Sequence, residues 1–187
     1  CDPNGPLAAI CFKTVADPFV GKMSFFKVIS GQITPETPAY NARTGKTERI
    51  GKLAIPHGEK LEDTKVITAG DIGVITKLAG FQTGDTLCSS KQVLTLKGLE
   101  FPVPTYTVAV SAVKKGDEEK IATGLNRLKE QDPSIEFHTD RETKEMLLSG
   151  LGEQHIDVII SELKSKFGVD VELSKPKVAY REAIRKT

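Results

Sequence analysis

The sequence predicts two domains of different class, an all-β domain followed by an α+β domain with two helices. Its 187 residues are enough for two hydrophobic cores of ordinary size. The first half carries short β-type runs between turn residues, whereas the second half carries two amphipathic helical patterns among short strands. The composition changes over residues 89–104, which end in Pro102-Val103-Pro104. We therefore place the domain boundary near residue 100 and assign residues 1–99 and 100–187 to the two domains.

The first domain is predicted from six β-type runs that Gly-, Pro- or Asn-containing connections separate. The first connection contains Asp17-Pro18 and Gly21, which favour a turn. Close and regular spacing of this kind favours a closed barrel or a sandwich, because closure removes exposed strand edges. The six runs are residues 7–15, 22–33, 49–55, 65–67, 72–77 and 86–88.

The second domain has the predicted order strand, helix, strand, strand, helix, strand. We expect Asp117 to cap the first helix and Pro133 to end it, since proline cannot continue a helix. Gly168 follows Phe167 at the position of a left-handed C-terminal cap for the second helix. With both helices on one face of a four-stranded antiparallel sheet, this βαββαβ order is the ferredoxin-like architecture. The predicted strands are residues 106–112, 135–141, 144–149 and 169–174.

The strongest candidate for chemistry is the string Gly150-Leu151-Gly152-Glu153-Gln154-His155 at the start of the second helix. Its glycines suit a sharp strand-to-helix turn, and Glu153 places negative charge at the positive end of the helix dipole. His155 then lies in the first helical turn, as a general base, a metal ligand or a residue that packs beside the turn. No second His or Cys lies at ligand spacing and no nucleophile is adjacent. We favour packing, and predict no catalytic, cofactor-binding or metal-binding residue in this chain.

Composition restricts the compartment and the partners. With 26 Lys+Arg against 25 Asp+Glu, the chain lacks the strong basic excess of a nucleic-acid-binding domain. Its three cysteines form no CxxC pair, which favours a reducing cytosol and a cytoplasmic protein. No apolar run approaches a membrane span and no signal-peptide pattern is present, so we predict no membrane partner. The linker-like opening, residues 1–5, and the end soon after a strand predict a piece of a longer protein.

The chain lacks the usual motifs for binding nucleotides and for stacking RNA bases. The chain has neither GxxxxGK[ST] nor Asn-Lys-x-Asp, so it should not bind GTP by the usual route. The βαββαβ order suggests RNA recognition, but Met146, Leu147 and Leu148 stand where base-stacking aromatic residues belong.

A basic cluster lies in the first domain. Its side chains either contact phosphates or form the solvated face of a strand, and the sequence favours neither reading. The cluster consists of Arg43, Lys46, Arg49 and Lys52.

Ordered strings in both halves resemble the translational GTPases, and within them the elongation factor G family. The resemblance covers nearly the whole chain and is specific, because the strings are long and keep their order. In the first half they are Pro6-Leu7-Ala8-Ala9-Ile10-Cys11-Phe12-Lys13, Asp17-Pro18-Phe19-Val20-Gly21-Lys22, Phe25-Phe26-Lys27-Val28, Tyr40-Asn41, Glu48-Arg49-Ile50-Gly51, Ala69-Gly70-Asp71-Ile72-Gly73 and Thr83-Gly84-Asp85-Thr86-Leu87. In the second half they are Asp132-Pro133-Ser134, Thr139-Asp140, the string at 150–155, and Lys175-Pro176-Lys177-Val178-Ala179-Tyr180-Arg181-Glu182.

The resemblance implies a translation-factor β-barrel, which is domain II of such a factor. A ferredoxin-like domain, which is domain III, and the start of an exit linker follow it. It implies a scaffold and relay that binds small-subunit rRNA and protein and contacts the factor's own G domain and C-terminal domains. GTP with Mg²⁺ is expected in the G domain, which is not in this chain, and its hydrolysis drives translocation of tRNA and mRNA. The alternatives are a ribosome-recycling or ribosomal-protection GTPase, or a free-standing RNA-binding module.

The resemblance also implies which residues meet the G domain and the ribosome. In this family fusidic acid binds between the G domain and the third domain, near the histidine that matches His155. This chain carries Gln154 where most members have Leu and Glu162 where most have Arg, and such a charge reversal changes which partner surface is tolerated. The implied interface residues are Gly152, Glu153, Gln154, His155, Ile159 and Glu162.

Overall fold

A computed structural model describes residues 2–17, 20–58 and 60–183. Two compact units divide the chain, unit 1 at Cys1–Glu100 and unit 2 at Phe101–Thr187. The turn expected at Pro18 and the linker residue Cys1 lie outside the described residues. None of the helices in the described ranges is long and apolar enough to cross a membrane.

Unit 1 is built from strands alone in its described part. Eight of them form one antiparallel sheet in the order β5-β4-β10-β1-β2-β9-β6-β7, and β3 pairs separately with β8. The strands are β1 (Ala8–Asp17), β2 (Gly21–Ser30), β3 (Gln32–Ile33), β4 (Pro38–Asn41), β5 (Thr47–Arg49), β6 (Lys52–His57), β7 (Lys60–Asp63), β8 (Ile67–Thr68), β9 (Ile72–Thr76) and β10 (Thr86–Cys88).

The connectivity requires this sheet to curl. Strand β5 lies at one edge of the sheet and β6 next to the other edge, six strand spacings away. In a flat sheet they would be about 29 Å apart. The chain from Arg49 to Lys52 can span no more than about 11 Å. The sheet therefore wraps around its core, as the predicted barrel requires.

The concave side of unit 1 encloses a closely packed apolar core. The rings of Phe26 and Phe81 meet edge to face with centroids 5.6 Å apart, and neither is exposed to solvent. Cys11 and Cys88 are buried free thiols, and burial raises the pKa of the Cys11 thiol to about 12. The core residues are Ala9, Cys11, Phe26, Val28, Ile33, Ala39, Ile50, Leu53, Ile67, Ile75, Leu78, Phe81 and Leu87.

Unit 2 has the ferredoxin-like architecture that the sequence predicts. In its described residues, four strands pair antiparallel in the order β12-β13-β11-β14, and two helices pack on one face of the sheet. The helices contribute the apolar side chains Ile121, Leu125, Ile156 and Leu163 to the core. The elements are β11 (Tyr106–Ala112), α1 (Glu118–Gln131), β12 (Glu136–Thr139), β13 (Met146–Gly150), α2 (Glu153–Phe167) and β14 (Val171–Ser174).

Several predicted strand limits were wrong. The run at 22–33 is broken at Gly31, whose φ of +73° leaves the extended region and separates β2 from β3. The run at 49–55 is likewise divided between β5 and β6, and of the run at 65–67 only Ile67 is in a strand. Two short strands, β4 and β7, were not predicted, because backbone pairing holds them without an apolar repeat.

The two predicted helix caps had different outcomes. Gly168 ends α2 in the left-handed conformation, with φ 66° and ψ 30°, as predicted. The prediction for Asp117 was wrong, because its side chain makes no capping bond and its φ and ψ are already helical. Its carboxylate instead accepts a hydrogen bond from Nζ of Lys120 at 2.9 Å.

Candidate functional site

The turn from β13 into α2 brings the two glycines into different environments. Gly150 is buried, and a Cβ there would lie 3.0 Å from Cδ1 of Ile156 and 3.1 Å from Nδ1 of His155. Gly152 is extended, with φ 177°, and a Cβ there would meet nothing within 4 Å. The close approach of α2 to the strand therefore depends on Gly150, while the backbone at Gly152 accepts other residues.

His155 connects three parts of unit 2 by hydrogen bonds. The backbone N–H of Leu151 donates to Nδ1 of His155 at 3.1 Å, and Nε2 lies 3.0 Å from Oδ2 of Asp132. Because a backbone amide can only donate, Nδ1 is the acceptor, and Nε2 carries the proton that it donates to the carboxylate. This arrangement, the His155 clamp, ties the turn after β13 and the first turn of α2 to the end of α1. The packing role that we favoured from the sequence stays a prediction.

Asp132 anchors the clamp at the C-terminus of α1. Its N–H donates to the carbonyl of Leu128 at 2.8 Å, and its Oδ1 accepts from the backbone N–H and the hydroxyl of Ser134 at 2.8 and 2.5 Å. Burial raises the pKa of Asp132, but the hydrogen bonds from Ser134 and His155 outweigh burial and hold this pKa below its usual value. A carboxylate therefore faces the histidine at neutral pH.

A small groove of about 110 Å³ opens beside the clamp, between α1 and α2. Three predicted interface residues, His155, Ile159 and Glu162, follow one another along its α2 wall at helical spacing. Ile159 is only 3% exposed and belongs to the core. Gly152, Glu153 and Gln154 do not line this groove, and Glu153 and Gln154 are exposed at the start of α2. The lining residues are Leu128, Gln131, Asp132, Ile135, His155, Val158, Ile159 and Glu162.

Glu162 takes part in a bridge between the two helices. Its Oε2 accepts hydrogen bonds from Nζ of Lys166 at 2.9 Å and from Nε2 of Gln131 at 3.4 Å. Nζ of Lys166 also donates to Oε1 of Gln131 at 3.2 Å. Glu162 thus has a cation of its own chain beside it.

Arg43 of the predicted basic cluster is bound to a buried carboxylate. Its Nε and Nη2 donate to the two oxygens of Asp85 at 2.6 and 2.9 Å. The side chain of Asp85 is 4% exposed and that of Arg43 is 51% exposed. The hydrogen bonds to Asp85 raise the pKa of Arg43. Arg43 therefore has a structural contact whether or not it also meets phosphate.

The other three residues of the cluster lie on the surface around β5 and β6. Lys52 pairs with Asp63 at 2.8 Å, and both side chains are well exposed. Lys46 and Arg49 are exposed, and neither makes an ion pair within the described part of the chain. These two residues hence have the most freedom to meet an external anion.

The face of the unit 2 sheet opposite the helices does not resemble an RNA-stacking surface, and Ala109 and Ser149 on it are buried. Thr107, Ala109, Leu147 and Ser149 alternate with the core-facing residues of β11 and β13, and no Phe, Tyr or Trp of these two strands lies on that face. The chain after β14 returns towards β13, because the N–H of Lys177 donates to Glu145 at 2.9 Å. Base stacking on this sheet is therefore disfavoured.

Sequence reasoning found the histidine but not its partners. Asp132 lies 23 residues before His155 and Asp85 lies 42 residues after Arg43, so no local spacing indicates either pair. No sequence pattern indicated that Gln131 and Lys166 would be the partners of Glu162. Within the described residues, no group of three or more His, Cys, Asp or Glu is placed to hold a metal ion.

Two family models match the chain in succession. The model described as Elongation factor G domain 2 matches residues 6–90, and that described as Elongation Factor G, domain III matches residues 101–175. The chain belongs to the elongation factor G family. It contains the second and third domains of that family, and the His155 clamp lies in the third.

Similar proteins agree with this family assignment. The chain is 40% identical to Elongation factor G of Thermotoga maritima over 186 residues and to that of Thermotoga neapolitana over 185 residues. It spans 27% of the length of each of these two factors. A crystal structure of a protein from Thermus thermophilus superposes with a TM-score of 0.79 at 30% identity, covering 93% of this chain and 26% of that one.

Proposed function

We propose that this chain is the ribosome-binding scaffold and relay of an elongation factor G-type GTPase in the cytoplasm. Domain II occupies residues 1–99, and domain III with the start of the exit linker occupies residues 100–187. The complete factor hydrolyses GTP, held with Mg²⁺ in a G domain outside these residues, to promote translocation of tRNA and mRNA. Its partners are small-subunit rRNA and protein, and, within the factor, the G domain and the C-terminal domains.

The observation that carries the relay role is the His155 clamp. A relay must convert a force at one surface into the movement of a larger body. The clamp joins the start of α2 to the end of α1 through the side chain of Asp132, at a position that remains partly exposed. A partner that contacts the exposed residues Glu153 and Gln154 would move both helices together. This supports an interface at residues 152–162.

The first test is His155→Ala in the complete factor. Loss of both hydrogen bonds frees the start of α2 from the end of α1, so ribosome-stimulated GTP turnover is expected to fall about tenfold. Nucleotide affinity without ribosomes is expected to stay within about twofold, because this chain holds no nucleotide. Turnover is measured by phosphate release and affinity by nucleotide titration.

The matched control is His138→Ala, which removes an exposed histidine of β12 on the same unit. It is expected to leave both quantities unchanged. Equal losses of turnover and nucleotide affinity in His155→Ala would contradict a relay at this interface. High-affinity GTP binding by the 187-residue chain alone would contradict the placement of catalysis in another domain.

The second test concerns rRNA contact by Arg43, Lys46, Arg49 and Lys52. We expect the larger share from Lys46 and Arg49, because Arg43 and Lys52 already pair with carboxylates. Arg49→Ala should reduce the slope of log affinity for the small subunit against log salt by about one unit. The measurement is a filter-binding series over salt concentration. An unchanged slope, or the same decrease in the exposed Lys13→Ala control, would refute a phosphate contact at this position.

A further inference from the structure

The groove beside the clamp has the dimensions and floor for one long side chain. Its volume of about 110 Å³ is several times the share of one water molecule in the liquid, about 30 Å³. The floor consists of Leu128, Ile135 and Ile159, each under 5% exposed. Such a floor favours methylene groups. The groove is too small for a nucleotide or a helix.

The rim of the groove is anionic. Its lining includes the carboxylates of Asp132 and Glu162 and contains no Lys or Arg. His155 accepts at Nδ1 and donates from Nε2 in its two hydrogen bonds, so its ring presents no free N–H to the groove. Negative charge on both sides disfavours phosphate and therefore a nucleic-acid backbone. It favours a cation on a partner polypeptide.

The two carboxylates retain acceptor capacity. Oδ2 of Asp132 accepts from His155, which leaves one of its lone pairs available. The hydrogen bonds to Glu162 from the described residues reach Oε2, so Oε1 is open to a further donor. Each side chain is between a third and two-fifths exposed. Both acceptors can thus be reached from outside.

We propose that this groove binds an arginine side chain of a partner polypeptide. The methylene groups of the arginine lie on the apolar floor, and its guanidinium donates to Oδ2 of Asp132 and to Glu162. Arginine fits better than lysine, because the planar guanidinium has five N–H donors and can donate to two separated carboxylates at once. The inference rests on the proposed interface function and adds the chemistry of the group that the interface receives.

Lys166 competes with the incoming arginine for Glu162. Its Nζ lies 2.9 Å from Oε2 and neutralises part of the rim charge while the groove is empty. Removing this lysine should strengthen arginine binding, whereas removing the charge of Glu162 should weaken it. The two changes therefore have opposite predicted signs, which general damage to the helix pair would not produce.

The test uses the 187-residue chain and the probe Nα-acetylarginine methylamide, followed by backbone amide chemical shifts. Saturable shifts are expected at Leu151, Ser134 and Ile159. Glu162→Gln should weaken the apparent affinity about three- to fivefold, the range of a partly screened ion pair, and Lys166→Met should strengthen it by a similar factor. Glu119→Gln, an exposed acid of α1 outside both the groove and the proposed interface, is the matched control and should change nothing.

Other outcomes would overturn the proposal. They are equal shifts with Nα-acetylleucine methylamide, the absence of saturable shifts, or weaker binding in both Glu162→Gln and Lys166→Met. Circular dichroism of each variant checks that the helices remain. Because this titration contains neither ribosomes nor GTP, it can fail while the His155→Ala result stands, and the reverse also holds.

Discussion

Asp85→Ala is expected to lower the free energy of unfolding of unit 1 by about 3 kcal/mol, the low end of the range for breaking a buried ion pair. Asp85 accepts hydrogen bonds from Arg43, from Nδ2 of Asn41 at 2.8 Å and from the N–H of Gln82 at 2.9 Å. The substitution leaves the side-chain amide of buried Asn41 and the backbone N–H of Gln82, an exposed residue, with one partner fewer each. Arg43 is half exposed and can be solvated again, which is why the low end of the range applies.

Urea unfolding of the chain, followed by a probe in unit 1, measures this effect. The corresponding decrease in Tm is roughly 15 °C for a unit of this size. Asp63→Ala is the matched control, since it removes the exposed partner of Lys52 and should cost less than about 1 kcal/mol. If Asp85→Ala and Asp63→Ala lower the free energy of unfolding equally, the buried Asp85 network does not stabilise unit 1 more than an exposed ion pair does.

The same network determines the acid sensitivity of unit 1. Burial raises the pKa of Asp85, but the hydrogen bonds from Arg43, Gln82 and Asn41 outweigh burial and hold this pKa below its usual value. In the unfolded chain the pKa of an aspartate is about 3.9. The stabilisation that ionised Asp85 gives the folded unit is therefore complete above that pH, and it is lost as the pH falls through the pKa of Asp85 in the folded unit. In Asp85→Asn the dependence of stability on pH below about 4 should become shallower.

The parts of the fold that local patterns determine were predictable. The helix α2 has an apolar stripe at helical spacing and a glycine just beyond Phe167, and both signals are independent of distant residues. In the strand at 106–112, Val108 and Val110 belong to the core while Thr107 and Ser111 are exposed, as the alternation of a strand predicts; Ala109, on the opposite face, is also buried. These periodicities were sufficient for the βαββαβ order.

The remaining features depend on contacts between residues that are distant in the sequence. Gly31 breaks a β-type run through its φ of +73°, and a Cβ there would lie only 2.9 Å from Cα of Leu7, a residue 24 positions earlier in the chain. The partner of His155 is likewise a residue of another helix. Such contacts arise only when the chain is packed.

Gly150→Ser and Gly152→Ser should separate the structural role of this turn from its interface role. At Gly150 a Cβ would be 3.0 Å from Cδ1 of Ile156 and 3.1 Å from Nδ1 of His155, so with serine these two side chains must each shift by a few tenths of an ångström. The expected cost in free energy of unfolding of unit 2 is about 1 to 3 kcal/mol, the range for overpacking a close-packed site, and the shift of the ring weakens the Leu151 hydrogen bond to His155.

At Gly152 the same substitution meets no atom within 4 Å, and serine is a better N-terminal cap than glycine. The free energy of unfolding of Gly152→Ser, measured in urea, should stay within about 0.5 kcal/mol of that of the parent chain or rise slightly. If the start of α2 meets a partner domain, Gly152→Ser in the complete factor should still reduce ribosome-stimulated turnover, because the added side chain occupies the approach to Glu153 and Gln154. Unchanged turnover in this stable variant would remove Gly152 from the interface. A stability loss equal to that of Gly150→Ser would show instead that both glycines serve the turn.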